Sequence, residues 1–102
     1  MSDDHTITRE EGTVTMTAGL LSHVVVAAAE TVDGARVRRG RRGLEVDVVD
    51  GTARVELELA VRYGDVLPVV AEEVQRRVAA ALRDMCALET SAIDVSVEEL
   101  DG

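Results

Sequence analysis

Residues 61–88 decide the fold, and they read VRYGDVLPVVAEEVQRRVAAALRDMCAL. Apolar side chains recur in this stretch three or four residues apart, a spacing that places them on one face of an α-helix. We expect that face to bury Leu67, Val70, Ala71, Val74, Val78, Leu82 and Met85. Pro68 falls in the first turn, where its missing N–H costs no hydrogen bond, and Asp65 just before it is the predicted N-cap. The stretch therefore predicts a long helix with one buried side.

The other side of this helix carries charges of both signs. Glu72 precedes Arg76 by four residues, and Glu73 precedes Arg77 by four. Acid-first pairs at this spacing stabilise a helix by a few tenths of a kcal/mol each, about 0.2–0.5. We therefore expect this side to face solvent.

The run GLEVDVVDGTARVELELAVR, residues 43–62, alternates apolar and polar side chains on both sides of Asp50-Gly51. A two-residue Asp-Gly connection between alternating runs is typical of a type I′ hairpin, and the turn fixes the register. Pairing residues outward from the Asp50-Gly51 turn sets three apolar pairs on one face of the hairpin, Val48–Ala53, Val46–Val55 and Leu44–Leu57. The other face then pairs Asp47 with Arg54 and Glu45 with Glu56. We expect both strands to bury one side.

Shorter signals fill the rest of the chain. Residues 12–16 and 35–38 each favour a short strand, and residues 92–98 alternate as a last strand. Residues 18–31 form a second helix, capped by Thr17 and expected to bury Leu20, Leu21, Val24, Val25, Ala27 and Ala28. Asp33-Gly34 ends this helix. Residues 1–11 lack periodicity and are predicted to be a disordered acidic tail, and residues 100–102 to be frayed.

The predicted order is thus β-α-β-β-β-α-β, in one domain that spans residues 12–99. One-sided strands and one-sided helices satisfy each other when they pack together. The predicted fold class is α+β, a two-layer sandwich with both helices on one face of a mixed sheet.

Composition limits the possible functions. The net charge of −9 and the single aromatic residue, Tyr63, disfavour nucleic-acid binding, which uses basic surfaces and stacking platforms. The one cysteine, Cys86, cannot form a disulfide within the chain and is predicted to be a small buried hydrophobe. The longest apolar run, residues 24–29, is far short of a membrane span, and the start does not resemble a signal peptide. These features indicate a cytoplasmic protein without a span of its own.

The densest charge feature is a run of arginines between the predicted strands. Five arginines fall within seven residues, namely Arg36, Arg38, Arg39, Arg41 and Arg42. One interpretation is a loop whose positive charge offsets the acidity elsewhere. The other is an interaction patch for an anionic partner, such as lipid headgroups, a phosphate-bearing polymer or an acidic surface on another copy.

The sequence shows no pattern of an enzyme. It has no GxGxxG, P-loop, CxxC, HExxH or nucleophile elbow, and the carboxylates occupy alternating strand positions or helix faces, where solvation explains them. The two histidines are far apart, and His23 is expected to be an ordinary surface imidazole. We therefore predict no catalytic residues, no metal, no cofactor and no small-molecule substrate.

Several of these patterns together resemble one family. YGDVLPVVAEEVQRRVAAAL followed by IDVSV, with GTVTMTAGLL and GLEVDVVDG upstream, is similar to the alkaline shock protein family, whose members are cell-envelope stress response proteins. The likeness covers about residues 12–99. It departs at Val66, where the family usually has a small polar cap, and at Cys86-Ala87, where the family commonly has Thr-Gly.

The resemblance implies a function for the chain. Members are non-enzymatic cytoplasmic proteins that collect at the inner face of the membrane through a separate membrane-anchor protein, associate with related members and self-associate. We expect self-association to use the edge strands or the contrast between the arginine run and the acidic surface. If the charge contrast drives it, replacing the five arginines by glutamine should abolish higher oligomers at low salt. The competing hypothesis is an anionic-polymer or nucleic-acid binding module that uses the arginine run, whose binding would fall steeply with salt.

Overall fold

The predicted α+β fold is confirmed, with one strand more than the sequence indicates. The computed structural model describes residues 4–38, 43–62 and 66–100. Its elements are β1 (His5–Arg9), β2 (Gly12–Met16), α1 (Ala18–Ala29), β3 (Ala35–Val37), β4 (Leu44–Val49), β5 (Thr52–Arg62), α2 (Leu67–Cys86) and β6 (Glu89–Leu100). From β2 onward this is the predicted order.

Strand β5 is the centre of the main sheet. It pairs antiparallel with β4 and β3 and parallel with β6, so the sheet is mixed as predicted. The hairpin register is also the predicted one, with Val46 opposite Val55 and Asp47 opposite Arg54. Asp50 and Gly51 both have positive φ, 50° and 73°, as a type I′ turn requires.

Strands β3 and β4 lie end to end along the same edge of β5. A single residue of β5 joins them, because the N–H of Glu58 donates to the Gly43 carbonyl at 2.9 Å and the Glu58 carbonyl accepts from the Arg38 N–H at 2.8 Å. Arg38 and Gly43 are therefore both hydrogen-bonded to the central strand, on either side of the undescribed residues 39–42.

The core lies between the main sheet and the two helices, which pack against each other and on its apolar face. On α2 the fully buried side chains are Val74, Val78, Leu82 and Cys86. Cys86 is buried as predicted, but Met85, which we expected to be buried, is 69% exposed. A strict four-residue spacing from Val74 ends on Cys86, and Met85 is therefore turned toward solvent.

Helix α1 buries Leu21, Val24 and Val25 as predicted, and Ala29 with them. The predicted face was too wide, because Leu20 is 46% exposed, Ala27 is also exposed and Ala28 is half-buried. The helix is apolar nearly all the way round, so the sequence pattern does not mark the borders of the buried face. It also ends at Ala29, two residues before the predicted end.

The N-terminal segment corrects the expectation of a disordered tail over residues 1–11. Residues 5–9 form β1, which pairs antiparallel with β2 in a separate two-stranded sheet and sets Ile7 opposite Val14. The Asp4 carboxylate accepts a hydrogen bond from the N–H of Ala18 at 2.8 Å, at the start of α1. The strand escaped prediction because residues 5–9 contain a single aliphatic side chain, Ile7, and so show little apolar alternation. Residues 1–3 lie outside the described part of the chain.

His5 is the one buried polar residue found in the described ranges. It is 7% exposed, and its Nε2 atom has no hydrogen-bond partner there. At the other end of the chain, Leu100 is still part of β6, although residues 100–102 were expected to be frayed; residues 101 and 102 are not described.

The two helices begin differently. The Thr17 hydroxyl accepts the N–H of Leu20 at 3.2 Å, as predicted for α1. The N-cap of α2 is Val66, not the predicted Asp65, and it makes no side-chain capping bond; Asp65 itself lies outside the described residues. Helix α2 ends at Cys86, and its C-cap is Ala87, a non-glycine residue with φ 56°, whose N–H bonds to the Arg83 carbonyl.

Candidate interaction surface

The solvent face of the main sheet is predominantly acidic. Exposed carboxylates alternate with inward apolar residues on all three long strands, because each strand buries one side only. They are Glu45 and Asp47 on β4, Glu56 and the half-buried Glu58 on β5, and Asp94 and Glu98 on β6. Two arginines lie among these carboxylates and set the electrostatics of this face.

Arg38 connects the two edges of the sheet. Its Nε atom lies 3.5 Å from Oε1 of Glu58, and its Nη1 atom pairs with Oε2 of Glu98. Because β5 lies between β3 and β6, the guanidinium spans all three. It thereby offsets the charge of two carboxylates on the face.

Arg54 does the same further along the face. Its Nη2 atom lies 3.5 Å from Oδ2 of Asp94 and 3.8 Å from Oε1 of Glu56. Asp47 stands directly opposite Arg54 in the register, as predicted, but the ion pairs are formed with the other two carboxylates. Glu45 and Asp47 form no ion pair with any described residue.

The five arginines of the predicted patch are not equivalent. Arg36 is exposed on β3, while Arg38 is engaged with Glu58 and Glu98. Arg39, Arg41 and Arg42 lie outside the described residues. The described part of the run therefore contributes one arginine exposed to solvent and one bound to the acidic face.

An apolar groove lies between the two helices on the side away from the sheet. Its volume is about 520 Å³, and its lining includes Val24, Ala27, Ala81 and Met85. The exposed His23 contributes to the rim, in agreement with its predicted surface position. The groove was not predicted from the sequence, because Met85 and Ala27 were expected to lie in the core.

A second groove lies between α2 and the outer edge of β6. Its volume is about 660 Å³, and it is lined by Glu72, Gln75, Arg76 and Ala79 from α2 and by residues 90–93 of β6. Gln75 reaches across it, since its Nε2 atom donates to the carbonyl of Ile93 at 2.8 Å. The groove is open, and both backbone and side-chain groups line it.

The charged side of α2 differs in detail from the prediction. Glu73 forms an ion pair with Arg77 at 2.9 Å, as expected. Glu73 also forms an ion pair with Arg76 at 2.9 Å, although Arg76 was the partner predicted for Glu72. The hydrogen bond from Arg77, together with the charge of Arg76, lowers the pKa of Glu73 below its usual value. This carboxylate therefore stays ionised to lower pH than an isolated glutamate.

The described residues offer little for catalysis. None of their histidines, cysteines, aspartates or glutamates forms a group of three that could hold a metal ion. Burial raises the pKa of the Cys86 thiol, so the nucleophilic thiolate is disfavoured. No helix among these residues has the length and apolar character needed to cross a membrane.

The sequence matches one family model. That model describes the alkaline shock protein 23 family, of cell envelope-related function, and it matches residues 36–101. The matched region runs from β3 through the hairpin and α2 to the end of β6. No protein of curated function matches the chain significantly.

Solved structures of the MamM CTD are similar in fold. A zinc form of a variant has 22% sequence identity and a TM-score of 0.64, and covers 82% of this chain and 87% of that one. A copper form has 22% sequence identity and a TM-score of 0.63, and covers 81% of this chain and 98% of that one. A nickel form has 21% identity and a TM-score of 0.63, and covers 81% of this chain and 99% of that one. At this identity the likeness concerns the fold alone.

Proposed function

This chain belongs to the alkaline shock protein 23 family, a family of cell envelope-related function, and on that premise we propose that it is a non-enzymatic interaction module of the cell envelope. It acts by docking to other proteins and to copies of itself. The family match over residues 36–101 is the observation that carries the proposal, because it covers the main sheet and α2, where the candidate surfaces lie.

The candidate surfaces support binding over chemistry. The acidic face presents exposed carboxylates from three neighbouring strands, and the groove beside β6 exposes backbone groups together with mixed side chains. Surfaces of this kind suit an extended or flat protein partner, whereas small-molecule sites are concave and mostly apolar with a few convergent polar groups.

The proposed location is the inner face of the cell membrane, reached through a membrane-anchor protein. A peripheral protein of net charge −9 gains nothing from the anionic lipid surface, so a protein partner is the simpler means of attachment. Related family members are the other proposed partners.

Membrane fractionation tests the proposal. Cells that express the tagged protein at its native level are lysed gently, and the membrane pellet is separated from the soluble fraction. We expect the protein in the pellet, together with one membrane-spanning partner that remains bound at moderate salt. A soluble protein with no membrane partner would contradict the proposal.

The same preparation distinguishes the anionic-polymer hypothesis. Binding of nucleic acid through the arginine run would fall log-linearly with salt, and nuclease treatment would release the protein. Arg38 is already paired with Glu58 and Glu98, which lowers the positive charge that this run can offer a polyanion. We therefore favour the protein-anchored module.

A further inference from the structure

The outer edge of β6 has no strand beside it within the described residues. Strand β6 is 12 residues long, from Glu89 to Leu100, and among the described strands it pairs with β5 alone. The opposite edge of the sheet is divided between β4, six residues long, and β3, three residues long. A long unpaired edge presents a row of backbone donors and acceptors to any strand that approaches.

The backbone directions along this edge follow from Glu58. The N–H and the carbonyl of Glu58 both bond to the edge formed by β3 and β4. The N–H and carbonyl groups of its neighbours Leu57 and Leu59 therefore point toward β6. From Ala92 onward, the N–H and C=O groups of even-numbered residues of β6 then bond to β5, and those of odd-numbered residues point away from β5, toward the open edge. The bond from Gln75 to the Ile93 carbonyl agrees, since an inward carbonyl would be occupied by β5.

The residues whose backbone groups point toward the open edge include three aliphatic ones, Ile93, Val95 and Val97. Their side chains are only half-buried at the margin of the core. Natural edge strands are commonly protected by prolines, lysines, inward-pointing charges or bulges. Residues 93–97 contain none of these, because the register irregularity of β6 lies before them, between Thr90 and Ala92. An added strand would cover these three aliphatic side chains and satisfy the outward backbone groups of Val95 and Val97, whereas the Ile93 carbonyl already accepts from Gln75 and would have to accept a second bond.

The charges of β6 are compatible with a partner that is itself acidic. Asp94 is paired with Arg54, and Glu98 with Arg38, so each of the two carboxylates on the outer face of the strand has a cation beside it, which it shares with one glutamate of β5. The other edge differs, because Glu45 and Asp47 of β4 have no such cation among the described residues. The ion pairs therefore favour β6 over β4 as the edge where two copies meet.

We infer that a second copy of this chain pairs its β6 antiparallel with the first across a twofold axis at Val95. In this register Val95 lies opposite Val95 of the other copy, Ile93 opposite Val97, and Asp94 opposite Ser96. A register centred on Ser96 would instead set Asp94 opposite Glu98, and like charges directly opposite are destabilising. The Val95 register sets aliphatic residues against one another and opposes no two acids.

The inference rests on the self-association in the proposed function and names its interface. The two sheets join into one, with all four helices on the same face. The groove between α2 and β6 of each copy then lies next to the seam, with Gln75 of each copy beside the new strand pair.

The first test measures association of the full chain by sedimentation equilibrium over a wide concentration range. Val95→Pro removes an outward N–H without breaking a bond to β5, and we expect dimerisation to weaken at least tenfold, roughly the effect of two lost backbone hydrogen bonds. Val48→Pro is the matched control, since by the same alternation Val48 points outward on the β4 edge. The control should dimerise like the wild type.

The second test uses Ser96, an exposed residue whose replacement leaves the core untouched. Ser96→Arg places a cation opposite Asp94 of the other copy, and Ser96→Glu places an acid there. Because each dimer contains this contact twice, we expect tighter association for arginine and weaker association for glutamate, by about threefold to tenfold in each direction. These variants decide the question if Val95→Pro does not fold.

The outcomes separate the interface from the function. A wild-type dimer that Val95→Pro weakens and Val48→Pro does not, with opposite shifts at Ser96, supports the β6 seam. A dimer indifferent to the β6 variants overturns the seam and leaves self-association in place. A chain that stays monomeric throughout the range overturns both, whereas membrane attachment is judged separately by fractionation.

Discussion

At the scale of single residues, Ala87 is held in a conformation that suits glycine. Its φ of 56° lies in the left-handed region, where an L side chain costs about 1–2 kcal/mol. The position follows the last turn of α2, and the N–H of the next residue, Leu88, bonds back to the Leu82 carbonyl at 3.0 Å. Alanine therefore ends the helix at a conformational cost.

Ala87→Gly should consequently raise the free energy of unfolding by about 0.5–1 kcal/mol, because relief of the backbone strain exceeds the added entropy of the unfolded chain. Urea denaturation measures the change. Ala80→Gly, the same substitution inside α2, should lower stability by about 1 kcal/mol. Stabilisation at both positions, or at neither, would contradict this explanation.

Cys86 gives a prediction about pH. Burial raises the pKa of the thiol, so the unfolded chain ionises first as the pH rises. The stability contributed by burying the neutral thiol is therefore complete below about pH 9 and is lost above it.

We expect alkylation of native Cys86 by iodoacetamide at pH 8.5 to be slower than in urea by about 100-fold or more, because the thiolate and the access it needs both require opening of the structure. Mass spectrometry of quenched samples measures the rate. Equal rates in the native and unfolded protein would show an accessible thiol.

At the scale of elements, the two helices differ in their first turns. Thr17 caps α1 with its hydroxyl, while Val66 stands at the same position of α2 without a polar side chain. Threonine and valine are nearly the same size, so exchanging them changes the capping bond and little else. Val66 is also 64% exposed, which leaves room for a hydroxyl.

Val66→Thr should stabilise the protein by about 0.5–1 kcal/mol, and the reverse change Thr17→Val should destabilise it by about 1 kcal/mol. Thermal unfolding followed by circular dichroism measures both. A loss of stability on Val66→Thr would mean that its valine packs in a way that outweighs a capping bond.

Elements also differ in how far the sequence could predict them. The hairpin register, the α2 stripe through Leu82 and the parity of β6 were predictable because each follows from local alternation or spacing. The borders of the buried face of α1 were not, since nearly every side is apolar: Leu21, Val24 and Val25 are buried as predicted, but Leu20 and Ala27 are exposed. Strand β1 was missed because its stabilising contacts are with β2 and the start of α1.

The candidate surface was predictable only in its composition. The arginine run was visible, but the pairing of Arg38 with Glu58 and Glu98 depends on β6 lying parallel beside β5, a contact between residues about 40 positions apart. Local patterns give no register for such a parallel pair. The edge of β6 emerges only from the assembled sheet.

At the scale of the whole molecule, the excess of negative charge makes the two bridging arginines important. With a net charge of −9, a carboxylate without a partner is repelled by many others. Arg38 offsets two of them on the sheet face, and it is partly exposed, so its effect should be modest and sensitive to salt.

Arg38→Gln should lower the free energy of unfolding by no more than about 1 kcal/mol in 20 mM salt, and the difference should shrink toward zero in 1 M sodium chloride. Arg36→Gln, two residues earlier on the same strand, is the control and should have a smaller effect, because Arg36 forms no ion pair with a described residue. A deficit for Arg38→Gln that persists in high salt would indicate lost packing, not lost charge.

The backbone of Glu58 holds two points of the chain at one edge of β5, because its carbonyl accepts from the Arg38 N–H and its N–H donates to the Gly43 carbonyl. Since one residue of the central strand fixes both points, we expect extra residues inserted between Arg38 and Gly43 to leave β3 and β4 in place. Lengthening the connection between two fixed points costs little, about 0.6 kcal/mol for each doubling. This is the place to graft a fluorescent label or an affinity tag that follows the protein in living cells while its β6 edge and helix faces stay uncovered.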